Sequence, residues 1–573
     1  MTDGDTGAPL LILGPLLRYV GETEATIWVE TDRACEVEIL GRQARTFEVS
    51  GHHYALVVIG DLEPGSEHEY QVALDGAARW PEPDSEFPPS VLRMPDPGRP
   101  LRLAFGSCRI AELPVPRRRW SPPRARRRAQ ADEAEHGPDA MVAFALDLRG
   151  TPHGRWPDLM LLIGDQVYAD DPGPATRTLI EQRRDPSQPP GYEVADFGEY
   201  CFLYREAWTE PSVRWLLSVV PTAMIFDDHD VHDDWNTSAA WRRDYRAKPW
   251  WPERIRAAYM SYWIYQHLGN LSPAELAKNE LWQQMQEPGD RAGLLGDFAA
   301  QADQQAPEIQ WSYRRTFGSQ GGPPGGPSGG RVRIVVIDSR SDRVLEEGGR
   351  RMVGEAEWQW VTESVAGDWD HVVLATSLPL LLPYGIHGLE AWNEAVCAGA
   401  WGRRFARVGE RIRQELDLEH WAAFGASFGQ FEQLLTGLAT GSHGRPPASV
   451  TVLGGDIHHS YLAAVDFPPG TNPRSPVYQA VCSPIHNVLP DRFRRGHQLT
   501  TSRPGGAVGT GIARLAGGRQ PRIRWRITRG AWFHNMLSAL EFDGRRARIR
   551  FDRTVSDESG IPHLQAVCEA ELS

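Results

Sequence analysis

"DLMLLIGDQVY", Asp158–Tyr168, is an apolar run that stops abruptly at Gly-Asp, with a tyrosine three residues further on. Five apolar residues in a row, bounded by polar ones, read as a strand buried on both faces. The same pattern recurs in "LRLAFGSC" (Leu101–Cys108), "VRIVVIDS" (Val332–Ser339), "HVVLATSLP" (His371–Pro379) and "SVTVLGGD" (Ser449–Asp456). Tryptophan-rich helical stretches lie between such runs, for example "RIRAAYMSYWIYQHLGN", Arg254–Asn270. Buried strands alternating with helices imply a layered α/β or α+β domain. Ligands of open sheets gather where strands end, so the polar clusters are expected together at the carboxyl edge of a single sheet.

Upstream, the pattern is all β. "EATIWVET" and "CEVEIL" alternate with period two, and "EHEYQVALDG" does so before an Asp-Gly turn. "LEPGSEHEY", Leu62–Tyr70, has the leucine, turn and tyrosine of the tyrosine corner found in Ig-like and fibronectin-type sandwiches. A proline-rich stretch, Trp80–Pro100, reads as a linker. The expected organisation is a tail (1–9), a small Ig/fibronectin III-like β-sandwich (10–95) and a large catalytic domain (100–573).

Composition narrows the function classes. A net charge of −14 argues against nonspecific nucleic-acid binding over the whole surface. The six cysteines have no CxxC spacing, which gives neither a disulfide scaffold nor a zinc ribbon. No apolar stretch is long enough to cross a bilayer, and the start shows neither a signal peptide nor twin arginines. A cytoplasmic location is the expectation.

The strand ends carry the chemistry. "GSCR" supplies Cys108 and Arg109; "GDQVY" supplies Asp165 and Tyr168; "DDHD" supplies Asp228 and His229; "GGDIHH" supplies Asp456, His458 and His459. One strand ending in Gly-Asp reads as a solvated turn. Four such ends in order read as ligands for two cations, one hard and oxygen-loving, the other a Lewis-acidic transition metal. "IFDDHDVHDDWN", Ile225–Asn236, adds to this by crowding five aspartates and two histidines into twelve residues. Carboxylates at that density repel one another unless cations or arginines sit among them.

The order SC–GDxxY–DDH[DE]–GDxH resembles the PhoD-like branch of the calcineurin-like metallophosphatases, over roughly Pro100 to the C-terminus. The resemblance implies a sandwich of two mixed β-sheets flanked by helices, preceded by the β-module, with a bimetal site that hydrolyses phosphate mono- or diesters. It implies Asp165 as the bridging ligand, and Cys108, Tyr168 and His458 on the transition metal, iron in that pattern. Asp456 with Asp228 or Asp233 would hold the second ion, calcium in that pattern; other divalent metals remain compatible. His229 would stabilise charge or protonate the leaving oxygen. Ser377 stands where the superfamily usually has a ligand histidine, so water, a carboxylate or His387 would take that place; alternatively His387 is a surface-loop residue.

Arg340 in "DSRSDR" is expected to grip substrate phosphate or to pair with Asp338 or Asp342, and Arg109, directly after Cys108, is a second candidate for that grip. A rival reading gives the run Arg117–Arg128 to nucleic acid, although "ADEAEHGPD" follows it directly. A second rival is a non-catalytic β-sandwich scaffold, which leaves the four strand ends unexplained. Trp235, Trp241, Trp250, Trp251 and Trp263 would either pack the core or stack a nucleobase or lipid group.

Overall fold

The computed structural model describes residues 7–111, 136–318, 330–489 and 503–573. The arginine run Arg117–Arg128 lies outside them, as does most of the glycine-rich stretch Gly318–Gly330.

Two mixed sheets form the large domain. One has six strands in the order Thr222–Ile225, Leu159–Ile163, Leu101–Gly106, Met536–Asp543, Arg546–Ser556 and Pro562–Glu571. Its first three are mutually parallel, with Leu103 opposite Leu159 and Leu161 opposite Ala223. The other has seven: Tyr313–Phe317, Val332–Ile337, His371–Thr376, Ser449–Gly454, Val477–Val481, Ser460–Asp466 and Arg524–Trp532. Four central strands there, from Val332–Ile337 to Val477–Val481, run parallel.

Strand periodicity divides the side chains between two cores. Val332, Ile334 and Val336 pack into the core shared with the six-stranded sheet. Val335 and Ile337 face an outer core with Trp358, Phe428 and Leu435 from the helices Glu355–Val365 and Gly425–Thr440. The sequence placed all the strand-end clusters on a single sheet. The structure corrects this: Cys108, Asp165 and Asp228 follow strands of the six-stranded sheet, and Arg340, Ser377 and Asp456 follow strands of the seven-stranded one. Any run of apolar strands ending in polar residues looks alike in sequence, whichever sheet its strands join.

The small module is all β, as expected. Two four-stranded sheets and the pair Ser90–Arg93/Glu67–Tyr70 enclose Leu17, Ile27, Val37, Val57, Val72 and Trp80. Two local readings change. Tyr70 does not close a tyrosine corner: its hydroxyl donates to the Ser218 carbonyl of the large domain at 2.6 Å. The proline-rich "linker" contains a paired strand, and Arg93 is held by the His153 and Pro157 carbonyls and by Asp158. Arg18, also buried, donates to the Tyr265 and Gln266 carbonyls. Among the described residues no helix is long and apolar enough to cross a membrane.

Candidate metal centre

Glycine lets the two sheets meet. Gly164 has φ +108°, and a Cβ there would lie 2.7 Å from the Asp227 Cβ and 3.2 Å from that of Ser377. A Cβ on Gly455 would collide with Ser107. The Gly-Asp pairs therefore mark a seam where backbone approaches backbone. Across it, Asp456 N–H donates to Ser107 Oγ at 3.1 Å, while Gly455 N–H bonds the Ser377 carbonyl of its own sheet at 2.8 Å.

Immediately beyond the strands, Cys108 (φ 58°), Asp165 (φ 50°) and Asp456 (φ 64°) adopt the left-handed region. Side chains rarely tolerate it, and such conformations cluster at functional sites. Asp230 braces the arrangement, accepting from the backbone N–H groups of Asp165 (3.0 Å), Gln166 (3.2 Å) and Asp227 (2.9 Å).

Carboxylate oxygens of Asp165, Asp227, Asp228 and Asp456 all lie within 4.8 Å of one another. A second grouping joins Asp165, Asp228 and a ring nitrogen of His229 within the same limit. Asp165 Oδ1 and Asp227 Oδ2 are buried without a hydrogen-bond partner. Burial, and then neighbouring acids, push the Asp165, Asp227 and Asp228 carboxyls above the usual carboxylate range, although His229 opposes the shift at Asp165 and Arg340 at the other two. Charged oxygens this crowded are stable only around positive charge. The donor set thus fits a cation.

Around this cluster stand the other expected ligands. Cys108 Sγ lies 3.2 Å from Asp165 Oδ2 and accepts from Ser483 Oγ at 3.2 Å. Burial pushes its thiol up, helped by Asp165 and Asp456, so the thiolate needs a cation. The Tyr168 hydroxyl accepts from Asn487 Nδ2 at 3.0 Å, and its ring lies 4.4 Å from that of His229. Burial, with Cys108 and Asp165, raises the phenol as well. His458, two residues past Asp456, is brought down to about 4 by burial, which leaves the imidazole neutral, the form a ligand needs. His229 holds Asp170 through Nδ1 at 3.0 Å and turns Nε2 toward Asp233, 3.7 Å away. Burial disfavours its imidazolium, but Asp170 and Asp228 outweigh that and raise it well above the ordinary value.

The aspartates of Ile225–Asn236 have separate duties. Asp227 and Asp228 enter the cluster, and Asp230 is the backbone brace. Asp233, with its side chain 58% exposed, stays on the rim. Geometry thus separates Asp228 from Asp233, which the sequence left as alternatives.

Both arginine expectations need correction. The Arg340 guanidinium is fully buried and faces carboxylates on every side: Asp227 at Nε, Glu419 at 2.6 Å and Asp228 at 3.0 Å. Only its backbone N–H meets Asp338, and the whole side chain is shut off from solvent. Arg340 is instead an internal counter-cation. Arg109 is buried as well and is spent on the fold: it donates to Asp139 at 2.8 Å and to the Ala207 carbonyl at 2.6 Å.

His387 is neither a ligand nor a loop residue. It lies in the helix Tyr384–Cys397 with its ring 4.9 Å from Phe428 and 5.0 Å from Trp525. Ser377 Oγ is paired with Ser339 Oγ at 2.7 Å. Trp235, Trp241, Trp251 and Trp263 are buried in the core, and Trp250 packs against it partly buried.

Sequence reasoning missed Asp227, Glu419 and His420. His420 joins Asp456 Oδ2 (3.1 Å) to Glu390 Oε1 (2.6 Å). Asp227 was visible as the first acid of "DDHD"; nothing near "DLEHW" marks Glu419 or His420.

Comparison with known proteins agrees with this geometry. Residues 8–92 match a domain of unknown function, DUF7800. No curated protein matches the chain. A solved structure described as "Structure of PhoD" shares the fold at TM-score 0.56 and 14% identity, covering 100% of this chain and 94% of that one. The sequence model of the PhoD-like phosphatases matches residues 149–503, a span that takes in Asp165, Asp228, His229 and Asp456. With that match running over more than half of the chain, the protein belongs to the PhoD-like phosphatase family.

Proposed function

We propose that the protein hydrolyses phosphate mono- or diesters with water activated at the Asp165–Asp227–Asp228–Asp456 cluster. The observation that carries this reading is a set of four acids, three buried and Asp456 half-buried, whose oxygens lie within 4.8 Å of one another in a PhoD-like chain; the three buried ones each have an oxygen that accepts no hydrogen bond. Cys108, Tyr168, His458 and Asp165 would hold a transition metal, iron by resemblance. Asp165, Asp228 and Asp456 would hold a harder ion, calcium by resemblance. When bound, such cations lower the pKa of water and neutralise charge on the phosphoryl oxygens.

The chain's own residues do the rest. Asp230 fixes the distance between Asp165 and Asp227 through backbone bonds. Arg340 offsets part of the negative charge from inside. Asp170 holds His229 by Nδ1, which leaves Nε2 to deliver a proton to the leaving oxygen. The test is hydrolysis of chromogenic aryl phosphate mono- and diesters by purified protein, with and without a chelator. Chelator-sensitive turnover is expected; turnover that survives complete metal removal sinks the reading.

A further inference from the structure

Ten large apolar side chains are exposed among the described residues, and six of them sit on or beside two helices. Trp401, Phe405, Val408 and Leu416 belong to the helix Arg403–Glu415 and its flanks; Val508 and Leu515 belong to Arg503–Leu515. Both helices rest on Tyr384–Cys397. A Cβ on Gly409 would meet Cys397 Sγ at 3.0 Å, the Gly409 carbonyl accepts from Asn393 Nδ2, and Gly388 lies directly against Gly509.

The helix Arg403–Glu415, thirteen residues and roughly 20 Å long, divides into three faces. Gly409 and Arg413 form the seated face. At about 100° per residue, Phe405, Val408 and Ile412 fall on one stripe, with Arg404, Arg407 and Arg411 on the strip beside it. Trp401, just before the helix, joins the stripe by its ring, 6.0 Å from that of Phe405. Arg403, Arg404, Arg407 and Arg411 are exposed and make no ion pair among the described residues. On a chain of net charge −14, a grouping of unpaired arginines against bare aromatic and aliphatic side chains runs against the overall composition.

We propose that this helix docks the protein on an anionic lipid surface, with Phe405, Val408 and Trp401 at the acyl boundary and the arginines among headgroup phosphates. A basic, outward-facing amphipathic helix has the chemistry of an interfacial one. Headgroup and acyl layers present negative charge and apolar depth side by side along the helix's whole length. A second copy stacked face to face would instead bring like arginines together.

Flotation of the full chain with phosphatidylcholine vesicles, with and without phosphatidylglycerol, tests the proposal. Binding is expected only to the phosphatidylglycerol vesicles and should weaken in high salt. Arg404→Glu/Arg407→Glu should lose roughly tenfold or more in vesicle affinity. Phe405→Ser/Val408→Ser should also weaken it, with melting temperature unchanged in both variants because these side chains are exposed. The paired variants also separate this helix from the arginine-rich run Arg117–Arg128. Absence of vesicle binding, equal binding to neutral vesicles, or wild-type binding by both variants overturns the proposal. So does self-association in ultracentrifugation that Phe405→Ser/Val408→Ser abolishes, since the face would then belong to a second copy.

Discussion

His420 Nε2 lies 3.1 Å from Asp456 Oδ2, while Nδ1 of the same ring lies 2.6 Å from the fully buried Glu390. The ring therefore ties a carboxylate of the candidate metal site to the helix Tyr384–Cys397. Outer partners of this kind set ligand orientation, and their loss costs roughly 10–100-fold in metal affinity. His420→Ala and Glu390→Gln should each weaken metal retention in chelator competition by that order. His420→Gln, which keeps a donor near the Nε2 position, should retain more. Equal retention in wild type and His420→Ala would free Asp456 from this control.

Asp165→Asn makes two opposite predictions. In metal-loaded protein it should lower metal content and remove most phosphoesterase activity. In chelated protein it should raise the melting temperature, because one of the mutually repelling buried carboxyls becomes neutral. A variant with wild-type metal content and turnover would take Asp165 out of the site.

Cys108 is fully buried, so protection from alkylation would not distinguish a metal-bound thiolate from a merely enclosed thiol. Metal content is the better measurement. Cys108→Ser should lose transition metal selectively while retaining the harder ion. Equal loss of both, or of neither, would make Cys108 a packing residue.

His387 is brought down to about 4 by burial between Phe428 and Trp525. Its folded value lies below the unfolded one, near 6.5, so the unfolded chain takes the proton first. Its contribution to stability is full above about pH 6.5 and is lost as pH falls toward 4. His387→Phe should flatten this acid limb of the melting profile without abolishing it, since His267 and His371 are lowered in the same direction. An unchanged slope would show that His387 is not buried as the neutral ring.

Tyr70→Phe removes the 2.6 Å bond to the Ser218 carbonyl, which joins the small module to the large domain. A loss of about 1 kcal/mol is expected, with activity unchanged. Denaturant titration reads it, and a wild-type midpoint would contradict the tie.

The architecture was legible because apolar strands ending in ligand-type residues form a local pattern, and Cys108, Asp165, Asp228 and Asp456 followed from it. Strand partners were not legible, since Leu161 and Val452 belong to similar runs in different sheets. Side-chain direction was hidden too: Arg340 was flagged correctly as a cation beside the acids, but its guanidinium is buried between Asp227 and Glu419. Glu419 and His420 arrive from a short segment with no periodic signal, and only the folded chain brings them to Asp456.

Asp230 holds Asp165 and Asp227 by their backbone N–H groups, and Gln266 holds Asp230 in turn. Positions of the metal-facing side chains are thus referred to the strands rather than to any ion. A candidate centre held this way is expected to empty and refill without refolding, with exchange set by access to the seam rather than by reassembly of the chain. Ion identity then becomes a property of supply as much as of sequence: one polypeptide could carry different cations as its surroundings change.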